Sequence, residues 1–95
     1  MKKMPEKLHE NTQERIFKAL ANRRRLAILR YLRKHGESSV TDIAEVIGVS
    51  TSSTSKHLID LAKANLVQEK KKGFYVLYSI HKKLHFLPKY ILDQI

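Results

Sequence analysis

The sequence predicts a mainly helical domain with one small β-hairpin, in the order α-α-α-α-β-β-α. Three observations carry that expectation. Apolar residues recur at helical spacing through the first two thirds of the chain. Near Leu66 the period changes to that of strands. Capping residues and glycines fall at the joints between the periodic stretches.

The first ten residues, MKKMPEKLHE, lack an apolar stretch and predict a flexible segment (1–10) ahead of one domain (11–95). No signal peptide is expected from them, since one needs an apolar run behind its positive charges. Asn11 with Glu14 three residues on forms a capping-box-like start, followed by Ile16, Phe17, Leu20 and Ala21. Asn22 caps a second helix with apolar positions Leu26, Ile28, Leu29 and Leu32, and Gly36 stops it. That helix carries Arg23, Arg24, Arg25, Arg30, Arg33 and Lys34 without one acid. Ser39 with Asp42 opens a third, short helix through Ile43, Ala44 and Ile47 that ends at Gly48. Ser50 caps a fourth, which runs to Asn65, a residue that tolerates the left-handed region. Leu66–Lys71 and Phe74–Ser79 read as strands joined through Lys72-Gly73. The last stretch, 82–95, places Leu84, Leu87, Ile91 and Ile95 on one stripe, with Pro88 marking a helix start or a kink.

Composition narrows the function. The chain has 95 residues, 19 Lys+Arg against 9 Asp+Glu, and a formal net charge of +10. Such an excess points to an anionic partner, most often nucleic acid. There is no Cys, which excludes disulfides, thiol catalysis and thiolate metal sites. No apolar run is long enough to cross a bilayer, so a cytoplasmic location is expected. The three glycines are scattered and the carboxylates sit among bases, so no phosphate loop and no catalytic constellation emerges; an enzyme is not expected.

The informative span runs from Val40 to Leu66. A short helix, a tight turn at Gly48-Val49-Ser50 and a second helix opening Thr51-Ser52-Ser53-Thr54-Ser55-Lys56-His57 make a helix-turn-helix. A recognition helix leads with its N-terminal turns into a major groove about 12 Å wide. Small hydroxylated residues there allow close approach, and their hydroxyls meet phosphates and base edges. Val49, Leu58 and Leu61 make the opposite, core-facing side. A hairpin after such a helix is a wing. This one (about 67–79) carries Lys70, Lys71, Lys72 and Gly73 at its tip, with Tyr75 behind, as expected of a wing that reaches the DNA backbone or minor groove. The candidate DNA-binding set is therefore Ser50 to His57 in the helix (about 51–64), with Lys70, Lys71, Lys72, Gly73 and Tyr75 in the wing.

Leu26-Ala27-Ile28-Leu29, Val40-Thr41-Asp42-Ile43-Ala44, Ile47-Gly48-Val49-Ser50, Ser55-Lys56-His57-Leu58, Leu61, Ala62, Leu66-Val67 and Lys72-Gly73 through Tyr78-Ser79 resemble the ArsR-type winged helix-turn-helix repressors. The resemblance spans roughly Ile16 to Ile80 and implies a homodimeric repressor on a palindromic operator, joined through its first and last helices. The residues expected at that interface are Ile16, Leu20, Leu84, Leu87, Ile91 and Ile95. Two positions depart from the pattern: Asn65 stands where Gly is common, and Thr54 where a small aliphatic residue is usual. Metal sensors of the family often carry a Cys in or just before the third helix, where this chain has Ser39.

His81 and His85 are spaced i, i+4, as in two-histidine metal sites on helices. Two ligands do not close a site, Asp93 lies too far along to join them, and Lys82 and Lys83 repel a cation. No metal or other cofactor is expected. Two other readings are a winged helix that binds protein or RNA, and a nonspecific, chromatin-like DNA binder.

Overall fold

A computed structural model describes residues 9–95. The expected flexible segment 1–10 lies almost wholly outside the described residues. Its last residue, Glu10, already begins helix α1 (Glu10–Leu20). The cap is His9 rather than Asn11: His9 Nδ1 accepts the Asn11 N–H. Ile16, Ala19 and Leu20 face inward, while Phe17, expected on the apolar face, is exposed.

Helix α2 (Arg23–His35) starts where Asn22 Oδ1 accepts the Arg25 N–H at 3.1 Å and ends at Gly36. Its side chains Ile28, Leu29 and Leu32 are the centre of the core, at most 1% exposed. A two-residue strand β1 (Ser38–Ser39) follows, too short for any sequence period to reveal. Ser39 Oγ then caps α3 (Val40–Ile47) through the Asp42 N–H. Gly48 leaves the helix at φ 70°, a left-handed conformation that L side chains rarely adopt.

Helix α4 (Thr51–Lys63) closes in a Schellman arrangement. The Leu66 N–H reaches the Leu61 carbonyl and the Asn65 N–H reaches that of Ala62, with Asn65 at φ 58°. The chain then enters β2 (Val67–Lys72) and β3 (Tyr75–Ile80), each one residue later than the sequence suggests. Lys72 pairs with Tyr75, so the turn residues are Gly73 and Phe74, not Lys72 and Gly73. The antiparallel sheet has the order β1-β3-β2. It is anchored inward by Leu66, Val67 and Tyr78.

Helix α5 (Phe86–Gln94) begins with His85 as its cap, and Pro88 sits in the first turn, where a missing N–H costs nothing. Its inner side is Pro88 and Leu92. Arg33 of α2 pins its far end by donating to the Leu92 carbonyl and, at 2.8 Å, to Asp93 Oδ1. Among the described residues no helix is long and apolar enough to cross a membrane.

Candidate nucleic-acid interface

The turn from α3 to α4 puts the hydroxyl-rich helix start at the surface. Ser50 Oγ accepts the Ser53 N–H at 3.1 Å and lies 3.4 Å from Ser52 Oγ. The cap satisfies one of the free N–H groups at this end; the others, with the positive pole of the helix, favour an anion. Thr51, Ser52 and Lys56 are exposed, and Ser53 and Ser55 are half-buried beside them. Lys63, the last residue of α4, continues the same stripe.

Thr54 is a correction to the expected set. It is 0% exposed, in phase with Leu58 and Leu61, and belongs to the core side of α4 rather than to a DNA surface. Its Oγ1 is buried without a hydrogen-bond partner. His57 is half-buried and turned toward α2, where its Nδ1 accepts from Arg25 Nε at 3.2 Å. Arg25 also reaches Asp60 Oδ2 at 2.7 Å and the Lys18 carbonyl at 3.3 Å. One guanidinium thus joins α1, α2 and α4. Burial first, then the charges of Arg25 and Arg24, hold the His57 imidazole below its ordinary value, with Lys56 adding to and Asp60 opposing the shift. The basic run Arg23–Arg25 was visible in the sequence, but nothing local pointed from Arg25 to partners more than thirty residues away.

In the wing, Lys70, Lys71, Lys72, Gly73 and Tyr75 are all exposed. Strand alternation sends Lys70 and Lys72 to one face and Lys71 to the other. Lys72 does not project freely, because its Nζ lies 3.2 Å from Glu37 Oε1. The outermost side chain is Phe74, which the sequence reading did not single out.

The expected dimer residues divide. Ile16 and Leu20 are buried in the protomer's own core, a correction, because α1 spends its apolar stripe on α2 and its neighbours. Leu84 and Ile91 are partly buried against that core. Leu87 is half-buried and Ile95 exposed. The large apolar side chains left open near them are Phe86 and Tyr90, at 58% and 56% exposure and stacked with ring centroids 6.3 Å apart. Phe17 is likewise exposed on α1.

His81 and His85 do not share a helix face. His81 follows β3 and its Nδ1 accepts the Lys83 N–H, while His85 Nδ1 accepts the Leu87 N–H at the cap of α5. Among the described residues no group of three or more His, Cys, Asp or Glu side chains could hold a metal ion.

Helix α3, a tight turn, the surface-presented α4 and the basic β2–β3 hairpin that follows it define a winged helix-turn-helix, a class of DNA-binding transcriptional regulators. Residues 22–69 match the family model described as bacterial regulatory protein, arsR family. The chain is 38% identical over 68 residues to the arsenical resistance operon repressor of Bacillus subtilis, an alignment covering 72% of this chain and 65% of that protein. It is 36% identical over 66 residues to the transcriptional repressor SdpR of the same organism, over 70% of this chain and 72% of the relative. The solution structure of a homodimeric winged helix-turn-helix DNA-binding domain from Mycobacterium bovis, a possible ArsR-family regulator, superposes with a TM-score of 0.74 at 31% identity. That match covers 88% of this chain and 71% of the other. The chain, which spans 65% of the length of the first of these relatives, belongs to the arsR family of bacterial regulatory proteins. Its donor set does not fit a thiolate metal site: it has no Cys, and Ser39 is engaged as a helix cap.

Proposed function

We propose that the protein is a homodimeric repressor that binds an inverted-repeat operator in the cytoplasm. One observation carries the reading. At the start of α4 the exposed Thr51, Ser52 and Lys56 form an outward polar stripe, on a helix whose other side is locked into the core by Thr54, Leu58 and Leu61. A rigid helix with a small, hydroxylated leading face suits a major groove. The exposed Lys70 and Lys71 supply sequence-blind attraction to the flanking phosphates. Two such protomers about a two-fold axis place their helices one DNA turn apart, about 34 Å, and so read an inverted repeat.

The test is a gel-shift titration on fragments of the source genome with competitor DNA at two salt concentrations. A specific repressor holds one fragment against competitor near physiological salt. Loss of all fragments alike marks a nonspecific binder, and no shift at all marks a protein-binding winged helix. In the same assay Ser52→Asp with Ser53→Asp sets two carboxylates against phosphate. Acids in a first helical turn favour the helix, so the fold survives while operator binding falls at least tenfold.

A further inference from the structure

The geometry points to Ile59 as the residue that reads a thymine methyl in the operator, an assignment that rests on the DNA-binding reading above. Ile59 is 46% exposed, although the other large apolar residues of α4, Leu58 and Leu61, are fully buried. Helical spacing puts it on the outward stripe with Ser52, Lys56 and Lys63, at i−7, i−3 and i+4. That stripe is opposite Thr54, Leu58 and Leu61, so Ile59 contributes nothing to the protomer core. It lies two turns beyond Ser52, about 10.5 Å along the axis. A helix set obliquely in a groove about 12 Å wide keeps that position within reach of base edges.

An isoleucine has no hydrogen-bonding group. The partner that suits it in a major groove is the thymine C5-methyl, the apolar group among the donors and acceptors that base pairs present there. Ser52 and Lys56 on the same stripe fix the helix on hydroxyl and phosphate contacts. Lys63 beyond them adds a cation at the backbone. Ile59 then buries its exposed surface against the methyl, which rewards a thymine over a cytosine without any directional bond.

The experiment combines Ile59→Ala with an operator in which each thymine is replaced in turn by deoxyuridine, which lacks only the methyl. Alanine at this exposed helical position keeps the fold. For the wild-type protein, one position in each half-site loses affinity by about fourfold, the effect of burying one methyl-sized group. Ile59→Ala binds the unmodified operator more weakly and no longer senses the replacement at that position. The inference is overturned if specific binding persists and no thymine replacement matters. It is equally overturned if the same replacement costs the Ile59→Ala protein as much as the wild type. A wild-type protein that selects no DNA fragment overturns the repressor reading itself, a different result from either.

Discussion

Arg25 donates from Nε to Nδ1 of His57 at 3.2 Å, tying the second helix to the middle of α4. The same guanidinium holds Asp60 one turn further on, at 2.7 Å. The two acceptors are three residues apart on α4 and therefore share a face. The planar fork of arginine serves both at once, which fixes α4 in rotation as well as position. The direction in which Ser52, Lys56 and Ile59 point depends on this joint, which grips the flank of α4 between that stripe and the buried side.

Arg25→Ala leaves His57 and Asp60 without their partner in a partly buried place. Removing charge-assisted bonds of this kind costs about 2 kcal/mol. A urea titration should show the midpoint shifted accordingly. Arg25→Lys should recover less than half, because an ammonium cannot reach two acceptors and the Lys18 carbonyl together. Equal stability of Arg25→Ala and wild type would show that the joint is not energetic.

Protonation of His57 would remove the acceptor that Arg25 uses. The folded imidazole is held below its ordinary value, so the unfolded chain takes up its proton first as pH falls. The stability contributed by neutral His57 is therefore complete above the unfolded value, about 6.5, and is lost as pH drops through the lower folded value. His57→Asn keeps an acceptor near the Nδ1 position and does not titrate. The wild-type Tm should fall more than that of His57→Asn between pH 7.5 and 5. Parallel curves for the two proteins would contradict this.

Thr54 offers a stabilising substitution. Its Oγ1 is buried and unpartnered, on the buried side of α4 that Leu58 and Leu61 share. Valine has the same shape and no hydroxyl. Thr54→Val should raise stability by about 1 kcal/mol, at the lower end of the cost of an unsatisfied buried group. Operator affinity should stay the same, since the side chain never meets DNA. A weakened operator complex with an unchanged melt would return Thr54 to the interface.

The contrast between Thr54 and its neighbours shows what the sequence disclosed. Asn22, Ser39 and Ser50 act on N–H groups three residues away, and Gly36, Gly48 and Asn65 end helices through their own backbone preferences. Such local chemistry is readable from residue type and spacing. The hydroxyl run 51–55 hid the helical phase of Thr54, which its spacing to Leu58 and Leu61 discloses. The pairing of Lys72 with Glu37 and the reach of Arg25 to Asp60 span 35 residues each and depend on the finished fold. Ile16 and Leu20 had the right pattern for an interface, but a stripe of apolar residues does not say whether the protomer or its partner covers it.

The wing should contribute affinity without specificity, and unevenly. Lys70 and Lys71 have no acidic partner among the described ion pairs, whereas Lys72 already faces Glu37. Replacing Lys70 and Lys71 by Ala should flatten the slope of log affinity against log salt by about 3.6 for the dimer, at ~0.9 for each of two phosphate contacts per protomer. Lys72→Ala should change it less than either single replacement. A slope equal to the wild type's in every variant would mean the hairpin tip does not meet the backbone.

The dimer should depend on the outer side of α5, not on the inner one. Phe86 and Tyr90 are open to solvent in the protomer and stack on each other, with the half-buried Leu87 next in sequence to Phe86. Aromatic side chains bury large areas on association and tend to dominate interfaces. Phe86→Ala with Tyr90→Ala should therefore convert a dimer into a monomer at tens of micromolar in sedimentation, with helical circular dichroism retained. The monomer should lose the advantage of an inverted repeat over a single half-site, because only a dimer places two α4 helices one DNA turn apart. Leu92→Ala provides the opposite case. Leu92 is 3% exposed on the inner side of α5, beside the Arg33 contacts that pin the helix end. Its truncation should cost about 2–5 kcal/mol of protomer stability through the cavity it leaves. If the double aromatic variant remains a dimer, the interface lies elsewhere, with Phe17 on α1 the next side chain to replace.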